Sequence, residues 1–541
     1  MNRRNLALSV AFVVLFALGW WAGRAHTRAD LYSNVDLFVE ILHKVEDNYV
    51  DPADPHKLVS GAINGMLKGL DPYSQYLDPR AWDQLQSVTE GSFGGIGVVV
   101  GVRDNYPTVI SPIEGSPAWR AGMRSGDIIV AIEDHSSAGL TIEEVADRLR
   151  GRPGTRVRLR VHREGGSDQD YTLDREIIQT RSVPYSFMAE KGIGYLRLSN
   201  FSEKSGTEVR EAVESLRAAG ARALVLDLRL NPGGLLDQAV DVAEQFLPHG
   251  ALVVYTHGRQ RSQDNRYYAR EARPQLQWPV VLLVDNGSAS AAEIVAGSLQ
   301  DLDRALLIGR TTFGKGSVQS VFPLHELHAA LKLTTALYYT PSGRSIHRLV
   351  RDTLSDEEDD SGELAPAPRD TLAGSRPLYH TAAGRIVYGG GGITPDVTVI
   401  ADSLPPLASK VESLGLAFRF ANRWLNGHAG PQTEPPWDDF VTFMRGEKVA
   451  FTPTELQASR PALEHALRRE IARRHGGDAA AAKVAFESDP AYQRALTILR
   501  RARGPRDVFA LAGTSRSVGP DPGVPASHAH GTTGRVPAGH P

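Results

Sequence analysis

The chain contains no cysteine. That absence excludes a thiol nucleophile, disulfide bridges and cysteine-ligated zinc, and it suits an oxidising compartment. A basic surplus is also missing, since 60 Lys and Arg stand against 63 Asp and Glu; nucleic acid is therefore not expected as a partner. Long apolar runs are scarce, and only Leu6 to Gly23 approaches the length that spans a bilayer. Two cofactor motifs fail on spacing. His325-Glu326-Leu327-His328 lacks the i, i+4 histidines of a zinc helix, and Gly309 to Lys315 reads like a phosphate-binding loop until Gly316, where Ser or Thr should hold magnesium. His528 and His530 in the tail carry no functional weight, so neither a metal nor a cofactor is assigned.

What the chain does have is a change of texture along its length. Arg3 and Arg4 precede the Leu6–Gly23 run and Trp20 and Trp21 suit a membrane interface, so residues 1–28 read as a membrane anchor, or as a cleaved signal, and imply export to the periplasm. Residues 31–91 carry helical stripes such as Leu37, Ile41, Leu42 and Val45, broken by Asp51-Pro52. Short β-rich runs with glycine-rich turns fill 92–178, and strands alternate with helices over 180–403, the order expected of a layered α/β core. Within it, the acidic stretch 352–370 reads as a solvated loop. Helical stripes return over 404–503 and suit pairing with another copy, and 504–541, rich in Gly, Pro, Ser and His, is expected to be disordered.

The chemistry concentrates between Pro279 and Gln319. The apolar run Val280–Val284 reads as a buried parallel strand, Asp285-Asn286-Gly287 as a turn, and Ile294, Val295 and Leu299 as one face of a helix. Ser290 therefore stands where a strand turns into a helix, beside unpaired backbone N–H groups and the positive helix end. Acyl transfer needs those parts together. Ser290-x-x-Glu293 is equally a capping box, which requires no catalysis. Lys315 lies between Gly314 and Gly316, and Gln319 follows it by one helical turn or by about 13 Å of extended strand; contact between the two predicts a helical turn.

Residues 92–178 resemble a PDZ domain of the bacterial type, on Ser116-Pro117-Ala118, Ala121-Gly122 and Gly126-Asp127-Ile128-Ile129. The resemblance implies that Gly95, Ile96, Gly97 and Val98 receive a C-terminal carboxylate while the ligand adds as a strand. From about Leu37 to Val399 the chain resembles the carboxyl-terminal processing (tail-specific) peptidases, through Asn48-Tyr49-Val50-Asp51-Pro52, Gly69 to Ser74, Asp227 to Gly234, Gly287 to Glu293, Thr312 to Gly316 and Gly392 to Asp396. That likeness implies a multidomain α/β protein: a layered serine-peptidase core of the crotonase and Clp-protease kind, an inserted PDZ domain, and helical N- and C-terminal regions. It implies Ser290 as nucleophile rather than Ser288, Lys315 as general base and Gln319 as the residue that orients the lysine. Ala292 stands where the family often has serine, and touches none of these roles. It further suggests homo-oligomers and an adaptor protein. A free lysine titrates near 10.4, so service as a base at neutral pH needs a lowering to about 7, worth roughly 4 kcal/mol and within the reach of full burial. Ala291 and either Gly233 or Gly234 are the candidate backbone donors of an oxyanion hole.

Other classes account for less of the chain. A silent PDZ scaffold leaves Ser290 and Lys315 unexplained, a thioester hydratase leaves the PDZ segment unexplained, and no motif singles out His257, His325 or His347 for a Ser-His-Asp triad.

Overall fold

The computed structural model describes residues 32–513, apart from residue 104 and segments 164–167, 271–275, 349–375, 401–402 and 428–435. The expected anchor, acidic loop and C-terminal histidines lie outside the described residues. The chain divides into two compact units, Met1–Trp82 with Gln319–Thr334, and Asp83–Val318 with Thr335–Pro541.

In the first unit a helix over 32–48 is followed by the helix Pro55–Lys68, capped by Asp54, whose carboxylate accepts the His56 N–H at 2.9 Å. Strand Gln75–Leu77 pairs antiparallel with residues 330–332. Asp71 shapes the turn before that strand, accepting from the Tyr73 and Ser74 N–H groups and the Ser74 hydroxyl at 2.7–2.9 Å. No helix among the described residues is long and apolar enough to cross a membrane.

The second unit is built on a sheet of six strands, in the order Ser186–Glu190, Ile193–Arg197, Ala223–Asp227, Val280–Val284, Leu306–Gly309 and Val397–Thr398. All but the first run parallel. Val280–Val284 is apolar at every position because both faces of the sheet are covered. Leu224, Leu226, Val280 and Leu282 pack with helices Ser205–Ala218, Leu236–Ala243 and Ala291–Asp301. Val225, Val281, Leu283 and Ile308, alternating with them, pack under helices Pro490–Leu499 and Asp507–Ala512. Helical order thus runs past Gly504, where the sequence predicted disorder to begin, because Val508 and Phe509 are buried against the sheet.

Residues 92–178 form a separate sheet in the order Val98–Arg103, Tyr106–Pro112, Ile128–Ile132, Arg156–His162 and Gln169–Asp174, with its own core. Helix Ile142–Leu149 starts at a full capping box between Thr141 and Glu144. Helices from Pro406 to Ala485 enclose a further core around Val411, Phe440, Met444 and Leu467. The layered core, the inserted β-rich domain and the helical ends expected from sequence are all present.

Candidate active site

Strand Val280–Val284 gives way to a turn at Asp285, and helix Ala291–Asp301 begins seven residues after the strand ends. Ser290 closes that turn with φ 54° and ψ −115°. For a residue with a Cβ such a conformation costs about 1–3 kcal/mol and persists only where neighbours over-determine it. Here they do: Ala289 N–H donates to the Asn231 carbonyl at 2.9 Å, Ser290 N–H to Glu293 Oε2 at 2.9 Å, and Glu293 N–H to the Ser290 carbonyl at 2.8 Å. The strained turn presents a partly exposed serine at the end of the sheet, as in a nucleophile elbow. The capping box expected from sequence is present, and the Glu293 N–H also reaches the Ser290 carbonyl. Ser288 differs sharply. It is buried, and its hydroxyl bonds the Leu228 carbonyl at 2.8 Å and accepts from Asp285 N–H at 3.0 Å, so it ties two loops together.

The loop after strand Ala223–Asp227 lies against the same turn. Gly233 has φ 95°, and a Cβ there would lie 2.7 Å from Ser290 Cβ and 2.8 Å from Ala291 N. Only glycine permits that approach. Asn231 is fully buried; its amide donates to the Leu198 carbonyl and its oxygen accepts the Gly233 N–H at 2.9 Å. The Gly233 N–H is thus engaged by the Asn231 side chain in this conformation.

Lys315 sits on an irregular segment before strand Ser317–Leu324. It is partly rather than fully buried. Its flanking glycines have a steric reason: Gly314 has φ 95°, and a Cβ on Gly316 would meet His347 N at 2.6 Å. Two side chains join the lysine segment to the serine turn. Glu293 takes the Ser290 and Lys315 N–H groups on Oε2, both at 2.9 Å, and the Gly314 N–H (2.8 Å) and Thr312 hydroxyl on Oε1. The Tyr338 hydroxyl lies between the Lys315 carbonyl at 2.5 Å and the Ser290 carbonyl at 3.1 Å. Glu293 is fully buried, and burial pushes its pKa above the ordinary carboxyl value against hydrogen bonds that favour the ionised form. Its four donors fill the acceptor sites of a carboxylate.

The helical turn predicted between Lys315 and Gln319 is not formed. A strand begins at Ser317, because this segment is one arm of a hairpin with Ala329–Tyr339, and ladder pairing holds it extended. Within the first unit the Gln319 amide donates to Thr334 Oγ1 at 3.3 Å, and Thr334 donates to Asp71 at 3.1 Å. Sequence reasoning saw Glu293 only as a cap and missed Tyr338 altogether; nothing in LKLTTALYY distinguishes its buried tyrosine from Tyr339. Among the histidines considered for a triad, His257 is exposed and paired with Asp264, and His325 is exposed. His347 borders the lysine segment through its backbone.

In the β-rich domain the strand Val98–Arg103 is an edge of its sheet, and an apolar groove of about 110 Å³ runs between it and helix Ile142–Leu149, lined by Ile96, Val98, Val100, Ile142, Ala146 and Leu149 among others. Gly97 has φ 74° and its carbonyl accepts the Ser116 hydroxyl at 2.9 Å, which fixes the turn at the head of the groove. An edge strand beside a helix is the geometry that accepts an added strand.

One chain thus combines a strained serine at a strand–helix turn, a glycine-flanked lysine segment tied to it and a separate domain with an apolar groove. Family models agree: residues 192–354 match peptidase family S41, 108–163 a PDZ domain, and 24–81 the N-terminal domain of the activating protease CtpB. The chain is 43% identical over 320 residues to the carboxy-terminal-processing protease of Bartonella bacilliformis, covering 58% of this chain and 73% of that protein. It is 36% identical over 317 residues to the carboxy-terminal processing protease CtpA of Bacillus subtilis, covering 58% and 67%. Among solved structures, a photosystem II D1 C-terminal processing protease matches at 30% identity over 57% of this chain and 89% of that one, with a TM-score of 0.34. The chain belongs to the carboxy-terminal processing proteases of peptidase family S41, and is a serine-type endopeptidase with a PDZ domain.

Proposed function

We propose that Ser290 and Lys315 form the catalytic dyad of an exported endopeptidase that captures unstructured C-terminal tails in its PDZ groove. The observation that carries this reading is the double tie of the two segments, in which one carboxylate and one tyrosine hydroxyl each contact both Ser290 and Lys315 backbones. In the reaction, neutral Lys315 takes the Ser290 hydroxyl proton as Oγ attacks the scissile carbonyl. The N–H groups of Ala291 and of Gly234 or Gly233 stabilise the oxyanion. The lysine then returns the proton to the departing amine, leaving an acyl-enzyme that water hydrolyses with Lys315 again as base. Gln319 is the residue that orients the lysine, a role that the strand beginning at Ser317 weakens in this conformation.

Gly95, Ile96, Gly97 and Val98 take the terminal carboxylate, and the edge strand Val98–Arg103 receives the tail. The domain limits given from sequence are part of this proposal, with the helical C-terminal region carried on to Ala512. So do membrane tethering through residues 6–23, an adaptor, and self-association, the last favoured by the exposed Leu37, Phe38 and Ile41 of the first helix.

Cleavage of an unstructured, C-terminally tagged polypeptide tests the dyad. Ser290→Ala and Lys315→Ala lose turnover, and Ser288→Ala retains part of it. Full activity in Ser290→Ala sinks the assignment.

A further inference from the structure

The side chain that opens the loop of Asn231, Gly233 and Gly234 is Arg229. Its guanidinium is mostly buried and shared by two carboxylates: Asp227, from Nη2 at 2.7 Å and Nε at 3.0 Å, and Asp489, from Nη1 at 2.5 Å. Asp489 belongs to the C-terminal helical region, where it caps helix Pro490–Leu499 by accepting the Ala491 and Tyr492 N–H groups on its other oxygen, at 3.0 and 3.1 Å. One oxygen therefore caps a helix while the other holds an arginine. The local charges balance, Arg197 and Arg229 against Asp227 and Asp489, with the Tyr195 hydroxyl donating to Asp227. Without the charge of Asp489 a poorly solvated guanidinium is left in excess.

What Arg229 holds is joined to the nucleophile turn at successive points. Ser288 Oγ donates to the Leu228 carbonyl at 2.8 Å, Leu230 N–H to Asp285 at 2.8 Å, and Ala289 N–H to the Asn231 carbonyl at 2.9 Å. Leu230 itself is held at φ 53°. A displacement at Arg229 is thereby passed to Ala289 and to the strained Ser290 beside it.

We infer that Asp489 is a positioning residue for the peptidase reaction, acting through Arg229 to keep the 228–234 loop in register with Ser290. This rests on the peptidase function proposed above. It brings the C-terminal helices, which lie outside the matched peptidase segment 192–354, into the support of the catalytic centre.

Asparagine caps a helix as well as aspartate does, so Asp489→Asn removes the charge and keeps the cap, whereas Asp489→Ala removes both. In the full-length protein, kcat and KM for the tagged polypeptide are measured with the rate of Ser290 labelling by a fluorophosphonate and the thermal midpoint. Asp489→Asn is expected to lower kcat about tenfold or more with KM within about twofold, and to slow labelling in parallel. In an Arg229→Gln background the same change should add less than about twofold. Wild-type kcat in Asp489→Asn overturns the inference, as does an equal loss in both backgrounds. Loss of kcat and thermal midpoint in Asp489→Ala alone also overturns it, because that is the behaviour of a cap. Ser290→Ala runs alongside: if it cleaves, the peptidase reading falls and takes this inference with it, whereas an inactive Ser290→Ala beside a fully active Asp489→Asn removes this inference only.

Discussion

Replacing Glu293 by glutamine changes a few atoms in a side chain with no exposed surface. The carboxylate accepts the Ser290 and Lys315 N–H groups on one oxygen and the Gly314 N–H and Thr312 hydroxyl on the other. A glutamine keeps one acceptor oxygen and turns an NH₂ group toward the other pair of donors. If the oxygen stays with Gly314 and Thr312, the N–H groups of Ser290 and Lys315 are both unsatisfied; the hydroxyl of Thr312 can rotate away, so the opposite flip strands one N–H. An unsatisfied buried donor costs about 1–3 kcal/mol, so the variant loses roughly 1–6 kcal/mol. The cost falls on the strained Ser290 turn and the lysine segment, where relief by local movement is easiest. Taking about 2 kcal/mol as the share expressed in the transition state, kcat for the tagged polypeptide falls about 30-fold, with KM nearly unchanged because the PDZ groove is untouched. Steady-state cleavage and fluorophosphonate labelling measure the effect, and thermal unfolding separates it from global collapse. A Glu293→Gln protein that folds and turns over within about twofold of wild type would refute the claim that this carboxylate aligns the serine and lysine segments.

Tyr338→Phe removes the hydroxyl between the Ser290 and Lys315 carbonyls; a loss of about 0.5–1.5 kcal/mol in stability and a fall of severalfold in kcat are expected by denaturation and by kinetics. Gly233→Ala should fold poorly or be inactive, since its Cβ would sit 2.7 Å from Ser290 Cβ at φ 95°; wild-type turnover contradicts the close approach. Ile142→Glu, on a half-exposed position of the groove, should raise KM for an apolar tail and leave kcat nearly constant. Burial works against ionised Asp227, but Arg229 and Arg197 hold its carboxyl below the ordinary value. Its stabilising contribution is thus present above the unfolded value of about 3.9 and is lost as pH falls through the lower folded one. Denaturant titrations of wild type and Asp227→Asn between neutral and acidic pH should show that slope only in the wild type.

Local pattern determined a good deal on its own. The five apolar residues Val280–Val284 form the buried strand with the predicted ends, and helix Ala291–Asp301 carries Ile294, Val295 and Leu299 as predicted. These are segments in which periodicity, turn residues and caps agree. Asp227 to Gly234 and Gly314 to Gly316 were legible because close backbone approach admits only glycine, a constraint written in the sequence itself.

Tertiary structure decided the rest. The Lys315–Gln319 spacing allowed a helix or a strand, and pairing with Ala329–Tyr339 made it a strand. Val508 and Phe509 stand in a composition that predicts disorder, yet an apolar sheet face is there to cover them. Glu293 looked like a helix cap because sequence shows only the partner three residues away; the donors from Thr312, Gly314 and Lys315 arrive from across the fold. Tyr338 and Asp489 gave no local signal for the same reason: each acts on a loop far from it in the chain, and such contacts exist only after the sheet has brought the loops together.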